Sequence, residues 1–443
     1  MAEVHYEIIR CMNGQQPPPG DPSQQAQLLL RTGRVEEAER AFLRVLDGNP
    51  FDLQALNIVG LASIRMGQLH RARELLERAV STRPDHAASQ HHLGRALELL
   101  GDLRGAADHY AHAARLDANL PAARLHLAAV LEQLGDADAA LIQYCRVMSD
   151  VQSQGKWMDR ATTPPALVPL VEQAVQRVRN GRRAMLDTLL TPLAAEFGSD
   201  ELQRVKWMLR IYLGEEPAIY SDPRQRPTFL FFPGLPTAPY LDRSLFEWLP
   251  EFEAQTPAIL AELMSLLPQG TGSERVFSSA ALEDENLRGT RGPPSWTGHY
   301  FYRSGERRDD NCATCPATSA ALDKLPLSRV AGHGPEVLYS VFTPGTHLLA
   351  HKGVTNTRVV GHLPLIVPPD CALRVGGEVH VWQEGRVVVF DDTYEHEAWN
   401  RSDHTRVVMI FDMWNPYLTP VEQLATARLV ETIGEFRAAM AAA

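Results

Sequence analysis

Neutral imidazole is the commonest metal-ligating side chain, and His347, His351, His362, His380, His396 and His404 crowd into the C-terminal part of the chain near turns or strand ends. Two stand out by context: His351 in His351-Lys352-Gly353, and His396 in Phe390-Asp391-Asp392-Thr393-Tyr394-Glu395-His396-Glu397. Two imidazoles and a carboxylate hold non-haem Fe(II) while leaving positions open for co-substrate and dioxygen. The usual local pattern is His-x-carboxylate with the second histidine tens of residues later. His351 and His396 are 45 residues apart, which suits ligands on different strands, but Gly353 stands at the carboxylate position. Either another acid completes the set, Asp392 being the nearest, or two protein ligands suffice and water takes the third site. A histidine at a strand end is, by itself, more often a hydrogen-bonded structural residue, so the weight rests on what surrounds these two.

What must position them is a run of short strands. Val337 to Phe342, Arg358 to Val367, Ala372 to Trp382, Arg386 to Phe390 and Thr405 to Trp414 are β-branched and aromatic stretches separated by Gly, Pro and Asp, with Gly376-Gly377 as a hairpin turn. Regular short strands of this kind favour an antiparallel jelly roll or barrel over alternating βαβ units. Asp242 to Leu267 has helical periodicity, and Val421 to Ala443 reads as a closing helix. Cys312-Ala313-Thr314-Cys315 has no second such pair and no redox-type βαβ frame, and is read as a loop able to form a labile disulfide.

The N-terminal third repeats. Gly33, Gly67, Gly101 and Gly135 are spaced by 34 residues, and Ala38, Ala72, Ala106 and Ala140 keep the same register, as do Phe42, Leu76, Tyr110 and Tyr144. Gly60 and Gly94 stand where two helices must approach closely, and Pro50 and Pro84 end the second helix of their units. This resembles the tetratricopeptide repeat, a helix-turn-helix unit that buries its apolar face only by stacking on neighbours. The expected solenoid offers a concave surface to a peptide or protein partner. Between repeat and β-region, Leu167 to Leu213 reads as two helices.

At 443 residues the chain is too long for one ordinary core. Its formal charge of -11 argues against sequence-independent nucleic-acid binding, which needs a basic surface. The first residues lack a basic stretch followed by an apolar one, no apolar run reaches the roughly 20 residues of a membrane helix, and five cysteines are few and odd in number. A cytoplasmic protein with no membrane span is therefore expected.

The blocks Tyr339 to His347, His351 to Arg358, His362-Leu363, Trp382 to Gly385, Phe390 to Trp399, and Arg406 through Asp412-Met413-Trp414-Asn415-Pro416 resemble the aspartyl/asparaginyl β-hydroxylase family, in family order; a weaker likeness reaches back to Phe229 to Gly234. The resemblance implies an Fe(II) and 2-oxoglutarate-dependent dioxygenase on a double-stranded β-helix, with His351 and His396 binding iron without an acidic ligand. Asp392 then orients a ligand or water. Arg406 matches the co-substrate arginine, Ser340 the hydroxyl beside it, and His362 a further contact near the metal. Arg358 matches a residue that contacts the substrate's carboxylate, with Arg307 and Arg308 able to assist. Where the family often has a second arginine, two residues before His362, this chain has Val360, leaving a less polar pocket.

The expected fold class is thus multidomain α + β, an α-helical repeat solenoid followed by a jelly roll. It divides into an N-terminal segment 1–18, repeats 19–152, a helical connecting region 153–225, the hydroxylase-like domain 226–420 and a C-terminal helix 421–443. The implied reaction is hydroxylation of the β-carbon of Asp or Asn in a polypeptide recruited by the repeats. The same chemistry on a lipid acyl chain or small molecule, and an inactive repeat scaffold, are the rivals. Retention of His351, His396 and Arg406 opposes the scaffold.

Overall fold

The computed structural model describes residues 22–267, 273–290 and 293–443. The expected segment 1–18 lies outside them. The chain forms two compact units, one running to Ala184 and including Phe436–Ala443, the other Met185–Glu435.

In the first unit, helices Pro22–Arg31, Val35–Gly48, Leu53–Arg65, Leu69–Thr82, Ala87–Leu100, Leu103–Leu116, Pro121–Gln133 and Ala137–Ser153 form consecutive pairs. Gly33, Gly67, Gly101 and Gly135, in the turns within pairs, all have positive φ, a conformation that costs glycine little. The close approach expected at Gly60 and Gly94 is present. A Cβ on Gly60 would stand 2.8 Å from the Leu76 side chain, and one on Gly94 2.9 Å from the Tyr110 ring. Ala38, Ala72, Ala106 and Ala140 are buried at the same helix contacts.

The two helices expected between Leu167 and Leu213 are Val168–Phe197 and Gln203–Tyr212. Their packing divides. Leu167, Val171 and Ala174 join a cluster with Leu125 and Tyr144, whereas Leu186, Leu190 and Leu193 join Met208, Phe232 and Leu429.

The second unit is built on antiparallel sheets. Its strands are β1 (Ser273–Arg275), β2 (Leu287–Gly289), β3 (Trp296–Arg303), β4 (Glu306–Arg307), β5 (Val337–Phe342), β6 (Thr346–His351), β7 (Arg358–Ile366), β8 (Cys371–Val375), β9 (Glu378–His380), β10 (Val388–Phe390), β11 (His396–Asn400) and β12 (Arg406–Trp414). Among the described residues a seven-stranded sheet has the order β1-β3-β5-β12-β7-β10 with β4 beside β3, and a five-stranded sheet the order β2-β6-β11-β8-β9. Side chains alternate across a strand, and here the alternation separates two cores. Val337, Tyr339, Val359, Leu363, Val407, Met409 and Phe411 pack with Phe252, Ile259, Leu263 and Leu322 of flanking helical segments. Phe342, Val360 and Val408, on the opposite face, meet Leu348, Leu373 and Ala398 of the smaller sheet. The candidate site opens between the sheets.

The Cys312–Cys315 segment departs from expectation. It is helical, Asp309–Thr314 followed by Pro316–Leu322, because Pro316 begins the second helix and small residues fill it. Both cysteines are free and buried, and burial raises both thiol pKa values, that of Cys315 to about 12. They are core residues, not a labile disulfide loop.

Candidate active site

Strands β6 and β11 pair antiparallel with His351 directly opposite His396. Cross-strand partners place their side chains together on one face, and the two imidazole centroids are 4.1 Å apart. Each ring is set by its own strand: His351 Nδ1 lies 2.8 Å from the Leu349 carbonyl and His396 Nδ1 3.1 Å from that of Tyr394. With Nδ1–H donating to a carbonyl, Nε2 keeps its lone pair, the tautomer that metal-ligating histidines use. Burial, then the neighbouring His351, lowers the His396 pKa to about 3, so this ring stays neutral at ordinary pH. The site thus fits a metal held by two imidazoles. Among the described residues no group of three or more His, Cys, Asp and Glu is arranged to hold one, so the alternative in which Asp392 completes a three-ligand set is not favoured.

Gly353 accounts for the missing acid. A Cβ there would overlap the Asp392 carboxyl group, so Asp392 already fills the space a side chain at 353 would need. The Gly353 amide donates to the Asp392 carbonyl at 2.7 Å. Asp392 Oδ2 accepts from Arg358 at 3.0 Å, while Oδ1 is buried without a hydrogen-bond partner. Such an orphaned oxygen calls for a water or a metal-bound ligand to donate to it.

Deeper in the cavity lies Arg406, 1% exposed. Its Nη1 donates to Ser340 Oγ and to the Ser340 carbonyl, both at 3.2 Å. The guanidinium sits 3.9 Å from the Phe342 ring centroid and 4.8 Å from that of Trp382. Its Nε has no partner, no carboxylate pairs with it among the described residues, and burial pulls its pKa down to about 9. A buried cation without a counter-ion is costly, and the cost is relieved by an anion entering the cavity. His362 is buried close by, its pKa well below the ordinary imidazole value through desolvation and then the Arg406 charge.

His351, His396, Asp392, Ser340, His362, Arg406 and Arg358 all line one cavity of about 360 Å³. Arg307 and Arg308 do not. Arg307 is paired with Asp309 and donates to Ser319 Oγ at 2.8 Å, and the amide of Arg308 is tied to the Phe301 carbonyl at 2.8 Å. Neither is brought to the cavity. Of the other histidines, His347 is held by Glu397 at 2.7 Å, and His380 and His404 lie outside the lining.

Arg358 reaches the cavity in an unexpected state. Its Nη1 donates to Asp412 Oδ1 at 2.5 Å as its Nη2 engages Asp392. Burial works against its charge, but the two carboxylates outweigh it and raise its pKa. Trp296, Glu336, Phe390 and Asp412 also line the cavity, and the sequence reading assigned none of them a role. Period-two alternation outward from Ser340 and Arg406 would have reached Glu336 and Asp412.

Residues 253–416 match the family model described as aspartyl/asparaginyl beta-hydroxylase, and residues 23–65 and 60–121 match the tetratricopeptide repeat. The chain therefore carries a β-hydroxylase-family domain behind tetratricopeptide repeats. It is 38% identical over 142 residues to the human "Aspartyl/asparaginyl beta-hydroxylase", covering 32% of this chain and 18% of that protein. To the "Ornithine lipid ester-linked acyl 2-hydroxylase" of Rhizobium tropici it is 37% identical over 186 residues, 41% of this chain and 62% of that one. The mouse "Aspartate beta-hydroxylase domain-containing protein 2" is 33% identical over 218 residues, 48% and 60% of the two chains. The chain thus spans between 18% and 62% of the length of these relatives. A crystal structure of MamA resembles 35% of this chain at 23% identity, covers 90% of its own, and has a TM-score of 0.28. Among the described residues no helix is long and apolar enough to cross a membrane.

Proposed function

We propose that this hydroxylase-family domain is an Fe(II) and 2-oxoglutarate-dependent dioxygenase that hydroxylates the β-carbon of Asp or Asn in a peptide or protein. The observation that carries the reading is the meeting, in one cavity, of two facing imidazoles with open Nε2 atoms and a buried arginine lacking a counter-ion. His351 and His396 would hold the iron, their rings oriented by the Leu349 and Tyr394 carbonyls. Arg406 and Ser340 would bind the distal carboxylate of 2-oxoglutarate, since a guanidinium fork suits a carboxylate. Asp392 Oδ1 would orient a water or ligand at the metal. Phe342 and Phe390, which line the cavity, would limit the access of bulk water to the reacting centre. When bound, iron and 2-oxoglutarate supply dioxygen activation: one oxygen atom ends in succinate, carbon dioxide leaves, and the other becomes the substrate hydroxyl.

In this proposal the repeats recruit the polypeptide on their concave face, in the cytoplasm, and the domain limits 19–152, 153–225, 226–420 and 421–443 frame the parts. A second reading, hydroxylation of an acyl chain, is favoured by the apolar lining from Leu338, Val360 and Ile410 and by the acyl hydroxylase among the relatives. The test is turnover: full-length protein with Fe(II), 2-oxoglutarate and peptide should form succinate and a peptide heavier by one oxygen. Both products should vanish in His396→Ala. Unchanged turnover in that variant would remove the ligand assignment, and oxidation of acyl lipid alone would select the second reading.

A further inference from the structure

The inner face of the large sheet grades its charge from one end of the strands to the other. Cavity-lining residues run Arg406, Ile410, Asp412 along β12, His362, Val360, Arg358 along β7, and Ser340, Leu338 along β5, with Glu336 just before that strand. Among the described residues the floor therefore holds a cation with no carboxylate, the waist is apolar, and the rim gathers Asp392, Asp412 and Glu336 around Arg358. Among the described residues the rim's arginines are already engaged by carboxylates of the chain. Both terminal nitrogens of Arg358 are engaged by aspartates. Asp412 Oδ2 accepts from the Glu336 amide at 3.1 Å, and Glu336 Oε1 from the Ser304 amide at 2.6 Å. Arg303, which also lines the cavity, is itself paired with Glu274.

A substrate carboxylate arriving here would face three carboxylates and would have to displace one of them from Arg358. Like charges brought together repel, and that repulsion is a device for rejecting a ligand. A carboxamide of the same shape carries no charge, and its NH2 supplies two donors to oxygens that can accept them.

We infer that the rim selects asparagine over aspartate, with Asp412 and Glu336 as the specificity-determining residues; this rests on the peptide-hydroxylase reading above. The test uses the full-length protein with Fe(II), 2-oxoglutarate, dioxygen and two synthetic peptide libraries with randomised flanks, identical except for Asn or Asp at the centre. Mass spectrometry reads the oxygen gained by the central residue. The wild-type protein should favour Asn by about tenfold or more, the equivalent of one unfavourable charge contact. Asp412→Asn and Glu336→Gln should each lower the Asn:Asp ratio several-fold by admitting Asp. Glu336→Gln keeps the test open should Asp412→Asn fail to fold. Preference for Asp in the wild-type protein, or a ratio unmoved in Glu336→Gln and in folded Asp412→Asn, would overturn the inference while leaving the peptide reading intact. Oxygen gain in neither library would overturn the peptide reading, and the inference with it.

Discussion

Two arginines on one sheet face are provided for in opposite ways. Arg406 is fully buried against aromatic rings with one serine to receive its hydrogen bonds, whereas Arg358, half-buried at the other end of the cavity, is clamped by two aspartates. The difference teaches how to tell a binding group from a structural one. A cation whose charge is answered within the fold contributes to stability and has little left for a ligand. One left unanswered destabilises the empty protein and gains most when an anion arrives.

Replacing each with methionine separates the two roles, and the largest effect is expected at the floor. Arg406→Met should weaken 2-oxoglutarate binding by about 2 to 5 kcal/mol, the range for truncating one partner of a buried charge pair. Calorimetric titration reads this directly. The same variant should leave the melting temperature of the ligand-free protein unchanged or raise it, because an unpaired buried charge has been removed. Arg358→Met should do the reverse to stability, losing about 3 to 5 kcal/mol in denaturant unfolding, since Asp392 and Asp412 would be left as uncompensated buried charges. If the two variants destabilise equally, the contrast fails.

A smaller effect sharpens the rim half of the comparison. Gly353→Ala would push a methyl group into the Asp392 carboxylate, and overpacking of this kind costs about 1 to 3 kcal/mol. Displacing Asp392 also loosens Arg358, so this variant should partly reproduce the stability loss of Arg358→Met and add little in combination with it. Full additivity of the two would mean that Gly353 and Arg358 do not act through Asp392.

How much of this was legible in the sequence depended on the range of the signal. The repeats announce themselves through a fixed period, and Gly60 and Gly94 could be assigned to helix crossings because a fixed register implies a fixed packing partner. Strands β5, β7 and β12 were readable from runs such as Val337 to Phe342, rich in β-branched and aromatic residues and buried at all but one position. The two strands that carry the histidine pair were not. In β6, Thr346–His351, and β11, His396–Asn400, the β-branched run is missing, and polar site residues replace the alternation that marks a strand. Strand β3 escaped for a related reason, being aromatic but interrupted by Gly298.

Legibility of the site followed the same division. His351, His396, Ser340, His362 and Arg406 could be picked out through family-like blocks, and the cavity unites them. Arg307 and Arg308 could not be excluded from the sequence, because their partners Asp309, Ser319 and the Phe301 carbonyl are set by how a short helix folds back on β3. The rim is a product of register. Asp412 pairs with Val360 across β12 and β7, and Glu336 meets Asp412 only because β5 lies against β12 on the other side. No local pattern could show that Arg358, expected to receive a substrate carboxylate, would already be held by two carboxylates of its own chain.

The central claim, that two imidazoles and one unanswered arginine form a single iron and co-substrate site, is tested most directly by anaerobic titration of the full-length protein with Fe(II) and then 2-oxoglutarate. One Fe(II) and one 2-oxoglutarate should bind per chain, with iron uptake lost in both His351→Ala and His396→Ala, and 2-oxoglutarate uptake lost in Arg406→Met while iron still binds. A wild-type protein that takes up neither, or a His396→Ala variant that takes up both as the wild type does, would contradict it.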